Sequence, residues 1–270
     1  MPGLGFALSL ARRHGGDVPS PPPPAPPPPP PAFSPADLFA SGEAGAWYDP
    51  SDLSSMHQDS AGTTAAVLDQ PVGRIADKTG NGFHATQATS ARRPILRLGG
   101  DGRYYLAFDG VDDFLGHSLG LGSGDATFAA AAERTAAGAA QQALFVANDA
   151  SQPLRPGLYA RAAGNDWGCY VDGAWQSAGH DLSIRAVVSS IGRASGDTHD
   201  MQTNGGAATS LANSLGAGAD RRAIGAGVAA GTTHLMTGRV YGIVAIDRAL
   251  GASELDDLVQ WLAGKAGVAL

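Results

Sequence analysis

The amino-acid sequence predicts an all-β body of two antiparallel layers, closed by one helix and preceded by a proline-rich arm. Three observations carry this. The chain has 38 glycines, with 43% hydrophobic and only 16% charged residues, so it can bury a core while spending many positions on turns. Strand-like runs recur about every ten residues between Gly, Asp and Asn clusters, the spacing of a sandwich or barrel. A capped amphipathic helix pattern stands at the C-terminal end. With 270 residues there is room for one large β domain.

The elements follow in order. Residues 1–17 are a short apolar arm in which Leu4, Phe6, Leu8 and Leu10 suit insertion into a larger assembly. No basic stretch precedes the apolar run and Arg12-Arg13 follow it, so it is read as something other than a secretion signal. Residues 18–35, VPSPPPPAPPPPPPAFSP, are nearly pure proline. Proline fixes φ and removes backbone donors, so this linker is expected to be an extended polyproline II rod, its stretch from Pro19 to Ala32 spanning roughly 40 Å. It spaces the arm from the domain at 36–270.

Within that domain, Asn81-Gly82 in DKTGNGFHATQ signals a hairpin with a type I′ turn, because both residues tolerate positive φ. YYLAFDG alternates, with Tyr105 and Ala107 on one face and Tyr104, Leu106 and Phe108 on the other. Further strands are read at QALFVAN, GLYARAA, WGCYVDGAW, IRAVVSSIG, HDMQTNG, RRAIGAG and GRVYGIVAIDRAL. ATFAAAAERTAAGAA fits a strand or a helix by propensity, and alanine-rich strands imply thin contacts between sheets. In GASELDDLVQWLAGKAGV, Ser253 reads as the N-cap with acidic residues in the first turn. Leu255, Leu258, Val259 and Leu262 fall on one face, and Gly264 and Gly267 offer stops. The expected helix covers about 254–265.

Charge and composition exclude several classes. A net charge of −7 with no basic run leaves no footprint for nucleic acid or an anionic membrane. No run of eighteen apolar residues exists, so no transmembrane helix is expected. The single cysteine, Cys169, forms no intrachain disulfide and reads as a small buried apolar residue.

The residues of hydrolytic chemistry are sparse. Glycosidases of sandwich folds use two carboxylates held close together, and the three glutamates, Glu43, Glu133 and Glu254, are far apart in sequence. No GxSxG elbow or P-loop appears. The seven histidines are scattered without metal-type spacing and are expected mostly on the surface or in turns. The chain therefore reads as a non-enzyme with no catalytic residues. Trp167, Tyr170 and Trp175 in NDWGCYVDGAW are candidates to stack sugar rings along a groove, or else core aromatics. Trp175 is the best groove candidate.

The ordered series AWYDPSDLSSM, DKTGNGFHATQ, RRPILR, YLAFDGVDDFL and the terminal GRVYGIVAIDRALGASELDDLVQWLAGKAGV resembles the laminin-G-like, concanavalin A-like jelly-roll domains of bacteriophage virion proteins. The resemblance spans most of residues 45–268. It implies a two-sheet antiparallel jelly-roll sandwich, and at FDGVDDFL a joint between strands where Asp109-Gly110 turn and Phe108 with Phe114 or Leu115 point inward. Asp109, Asp112 and Asp113 are then turn residues, or ligands of a calcium ion, which would need six to eight oxygens. No other cofactor is expected.

The function expected from this resemblance is a phage structural protein made in the host cytoplasm and located in the virion, in a tail fibre, tail tip or head decoration. The arm would dock to other virion proteins and the domain would face host surface polysaccharide, with several copies, or a homo-oligomer, raising avidity. Two alternatives stand beside it: a bacterial surface or secreted carbohydrate-binding module, and a polysaccharide-degrading enzyme.

Overall fold

A computed structural model describes residues 32–121, 124–136, 141–148, 157–161, 166–171, 174–181, 185–193, 198–212, 221–227 and 233–270. The arm with Leu4, Phe6, Leu8 and Leu10 and the proline segment up to residue 31 lie outside the described residues. The chain divides into two units between Ala32 and Phe33, and the second is a β-sandwich with one C-terminal helix. Phe33 packs into this unit, and Ser34 caps a 3-10 turn, Pro35–Phe39, whose Leu38 is buried.

The first sheet runs in the order β15 (Thr209–Ala212), β14 (Thr198–Thr203), β13 (Ala186–Arg193), β8 (Ala126–Arg134), β17 (Thr237–Ile246), β6 (Tyr104–Asp109) and β5 (Ile95–Leu98). β1 (Gly45–Tyr48) pairs with the far half of β17. The second runs β12 (Ala174–Asp181), β11 (Asp166–Val171), β10 (Leu158–Arg161), β9 (Gln142–Asn148), β16 (Arg221–Ile224), β7 (Leu115–Gly116), β4 (Ala85–Thr86), β3 (Arg74–Ile75) and β2 (Met56–His57). Every pairing is antiparallel. The sandwich and its closing helix are the fold the sequence predicts.

Period-two alternation builds the core. Leu106 and Phe108 of β6 face the second sheet and meet residues such as Phe145, Leu158 and Trp167, while Tyr105 packs on the other side. The alanine-rich run left open above is a strand, β8, because tertiary burial on both faces overrides its helical propensity. Ala130 and Ala132 face the second sheet and Ala129 and Ala131 face the helix. Short side chains in the central strand let layers on both sides approach closely.

The helix, α1 (Ala252–Ala266), buries Leu255, Leu258, Val259 and Leu262 on the outer face of the first sheet. Its cap differs from the expected one. Gly251 is the N-cap, and the Glu254 carboxylate accepts from the Gly251 amide at 3.0 Å, so Ser253 lies inside the first turn. Gly264 stays helical, and Gly267 ends the helix with φ 68, a left-handed cap that glycine adopts without a Cβ penalty. The chain's two lysines tie this helix to β1. Lys265 and Lys78 approach Asp49 at 2.8 and 3.7 Å while lying over Trp261 and Trp47, and the two indoles meet edge to face.

The loop with Asn81-Gly82 also departs from expectation. β3 and β4 form a hairpin, but the loop is longer than two residues and Asn81 is not at positive φ. Buried Asp77 organises it, accepting from the amides of Trp47, Thr79 and Phe83 at 3.0–3.1 Å. The Asn81 side chain donates to the carbonyls of Glu43 and Gly45. β15, an edge strand, was not foreseen. Among the described residues no helix is long and apolar enough to cross a membrane.

Candidate functional site

The outer faces of the two sheets differ. Helix α1 covers the first. The second carries a separate apolar cluster of Phe114, Ala143, Val146, Tyr159, Ala223 and Ala226, with Trp175 and Leu235 against it. Beside this cluster lies a cleft of about 380 Å³ at the pairing of β4, β7 and β16. Thr86, Gly116 and Ala223 are neighbours across those strands, and Phe114 belongs both to the cluster and to the cleft wall.

The cleft wall is polar. His84, Gln87, Ser118 and Arg222 line it with Thr86, and its lining among the described residues holds no carboxylate. The Asp77 amide donates to His84 Nδ1 at 3.1 Å, which leaves the Nε2 proton as the donor of the neutral ring. Burial, then the nearby Arg74 charge, holds the His84 pKa below the usual histidine value. Gln87 is buried, and its amide reaches toward the Phe114 carbonyl at 3.4 Å. The arrangement offers hydrogen-bond donors and one permanent cation beside an aromatic ring. Sequence reasoning missed these residues. The outward positions of short strands could have signalled them, but β4 and β7 are two residues each and too brief for a period to emerge.

The expected aromatic groove is divided by the sheet. Trp167 is fully buried between the sheets with Cys169, so it presents no face to a sugar, a correction to its candidacy. It lies on the opposite face of β11 from the outer cluster because neighbouring positions alternate. Tyr170 pairs with Trp175 in register, and its side chain lies outside the described residues. Trp175 packs against the outer cluster. Its Nε1 donates to Asp166 at 3.2 Å, and Arg161 pairs with the same carboxylate while its guanidinium lies 5.0 Å from the indole centroid. One ring face is thereby engaged internally.

The aspartates form the turn. Asp109 Oδ1 accepts from the amides of Val111 at 2.8 Å and Asp112 at 3.3 Å, and Asp113 Oδ2 accepts from the Asp109 amide. Gly110 has φ 77, and a Cβ there would lie 1.9 Å from Thr237 Oγ1. Phe108 and Leu115 point inward as expected, whereas Phe114 joins the outer cluster. One oxygen from each of Asp109, Asp112 and Asp113 lies within 4.8 Å of the others, a spacing that could hold a metal. Calcium takes six to eight oxygens, and two of the three carboxylates already serve turn amides. Burial, then the neighbouring Asp109 charge, pushes the Asp113 pKa up to about 7.

The remaining polar candidates resolve individually. Glu133 accepts from Arg185, Arg239 and Tyr241 at 3.1–3.2 Å. Glu254 and Glu43 both approach Arg248, at 2.7 and 3.9 Å, so folding brings together two glutamates distant in sequence. Cys169 is buried, which pushes its thiol up to about 12. Two histidines expected near the surface are interior. His117 stacks on Phe145 at 5.2 Å, and His199 is fully buried with both ring nitrogens 3.2–3.3 Å from Ser190 Oγ. Burial holds His199 down at about 4.

No family model and no curated protein sequence matches the chain. Solved structures share the fold. The Trypanosoma rangeli sialidase in complex with 2,3-difluoro-KDN superposes with TM-score 0.54 at 15% identity, over 83% of this chain and 33% of that one. The same enzyme in complex with sialic acid gives 0.53 at 15% identity over the same shares. The chain thus spans about a third of the length of the sialidase it matches. A Ruminococcus gnavus IT-sialidase CBM40 bound to α2,3-sialyllactose matches at 0.39 and 15% identity, over 50% of this chain and 83% of that one. The likeness establishes the β-sandwich. The sialidases that share the fold are enzymes, so the expectation of a non-enzyme is withdrawn, while at 15% identity the likeness shows the fold alone and lends the phage resemblance no support.

Proposed function

We propose that this chain is a carbohydrate-binding β-sandwich whose cleft on the outer face of the second sheet takes a sugar carrying a carboxylate. The observation that carries the reading is the lining of that cleft, with Arg222 and His84 as donors, Phe114 alongside and, among the described residues, no acidic residue in the wall. In a chain of net charge −7, a cleft with a cation and no carboxylate favours an anionic ligand. A guanidinium pairs with a carboxylate more strongly than a neutral donor does, and the aromatic ring suits the apolar face of a sugar. The sialidases that share the fold, one of them in complex with sialic acid, support the same ligand class.

The test is titration of the purified chain with sialyllactose and with lactose, followed by calorimetry. Preference for the acidic sugar is expected, with loss of about tenfold or more in Arg222→Ala, the scale of one charge-assisted contact. Equal binding of the two sugars, or no binding of either, would remove the reading. Release of free sialic acid from the same samples would show whether the chain turns the sugar over. Display on a virion as the setting for this binding rests on the arm and proline rod of the sequence alone. Its test is whether removal of residues 1–35 abolishes association with particles lacking the protein.

A further inference from the structure

A second pocket, of about 200 Å³, lies on the other sheet, between the outer faces of β13 and β14 and the first turn of α1. Its size is below that of sites for drug-sized ligands and suits one small group. Its floor contains two polar atoms without hydrogen-bond partners among the described residues, Ser189 Oγ and Gln202 Nε2. Ser189 is 1% exposed and Gln202 half-buried. The two residues are register partners on neighbouring strands, which sets their side chains on one face, side by side. An unsatisfied buried polar group destabilises the fold that keeps it, and two of them converging on one cavity describe a recognition surface.

The chemistry of the lining selects the group. Gln202 Nε2 only donates, and so calls for an acceptor, whereas the Ser189 hydroxyl can accept as well as donate. Arg193 and Asp200, which also line the pocket, pair with each other, so the site offers no net charge to a free carboxylate or ammonium. Ile191, Leu250 and Leu255 supply an apolar wall opposite. A carbonyl oxygen, an N–H and a methyl group in one neutral unit meet all three requirements.

We propose that this pocket binds an acetamido group, the N-acetyl substituent of an amino sugar. The carbonyl accepts from Gln202 Nε2, the amide N–H donates to Ser189 Oγ, and the methyl rests on Ile191, Leu250 and Leu255. The pocket is separate from the cleft on the second sheet. The inference rests on the carbohydrate reading only for the kind of molecule that carries the amide.

The experiment titrates the full chain with N-acetylglucosamine and with glucose, which differ at the acetamido position, by calorimetry. A preference of about tenfold for the acetylated sugar is expected, the worth of one or two buried hydrogen bonds. Ser189→Ala and Gln202→Leu should each remove that preference. Both variants delete an unsatisfied atom, so their melting temperatures in the absence of sugar should equal or exceed that of the parent. Equal affinity for the two sugars, or an undiminished preference in both variants, would overturn the proposal. A fall in melting temperature in both would do so too, since the two side chains would then be structural. Binding of glucuronic acid, an acidic sugar without an acetamido group, lost in Arg222→Ala but kept in the pocket variants separates this site from the cleft, so that either reading can fail alone.

Discussion

The two sheets of the sandwich are built from similar strands and serve opposite ends. In the first, the central strand β8 is buried on both faces, with alanines toward the second sheet and toward α1, so a change there meets close packing on either side. In the second, no helix among the described residues covers the outer face, and its apolar cluster borders a polar cleft. On that face apolar surface stands next to polar side chains, His84, Gln87 and Arg222 among them. The sealed face and the open face therefore put different side chains at risk on mutation.

The largest effect should come from opening the sealed face. Leu258 is fully buried between α1 and the first sheet, and Leu258→Ala should cost about 2–5 kcal/mol in urea unfolding, by lost transfer energy plus a cavity. A loss below about 1 kcal/mol would mean that α1 is not integral to that layer. Next is acid. His199 on β14 has its pKa lowered from 6.5 to about 4, so the unfolded chain binds a proton over that window and the folded one does not. Stability present above pH 6.5 should fall by roughly 3 kcal/mol as pH drops to 4. His199→Gln should flatten that part of a stability profile.

Asp113 gives a smaller effect of opposite sign, at the turn leading into the second sheet. Its pKa is raised to about 7, so the folded state holds a proton that the unfolded state has already released. Its contribution is lost as pH rises from about 4 to 7. Asp113→Asn should leave stability unchanged near pH 4 and raise it by about 1 kcal/mol above pH 7, a value reduced for solvent screening. Parallel curves for parent and variant would contradict this. The smallest effect belongs to the open face: Arg222→Ala, which should weaken acidic sugar binding, should change stability by less than about 0.5 kcal/mol. A larger loss would make Arg222 a structural residue and blur the contrast between the faces.

Much of the fold was legible because its signals are local. Leu106 and Phe108 announce a buried face by alternation, the leucines at 255, 258 and 262 announce a helix, and Asp109-Gly110 announces a turn whose side chain bonds its own backbone. Local reading failed where a distant residue competes. Asp77 organises the Asn81-Gly82 loop by binding the Trp47 amide, Glu254 moves the helix cap to Gly251, and burial on two sides makes a strand of an alanine run that is helical by propensity. The sites were less legible still. Trp167 and Trp175 are alike as residues, and only the pairing of β11 with β10 and β12 assigns one to the core and the other to the outer face. The residues of the cleft come from strands far apart in the chain, and the pocket joins the β13–β14 pair to the distant start of α1.

By itself the sequence determined the period of each element, its turns and the apolar stripe of its helix, because those depend on neighbours within a few residues. Tertiary structure decided which sheet face the helix would seal, which aromatic ring would be hidden, and which polar atoms would share a cavity. Those outcomes depend on the free energy of packing residues that are not neighbours in sequence, where burial raises the pKa of Asp113, lowers those of His84 and His199, and sets Ser189 and Gln202 side by side.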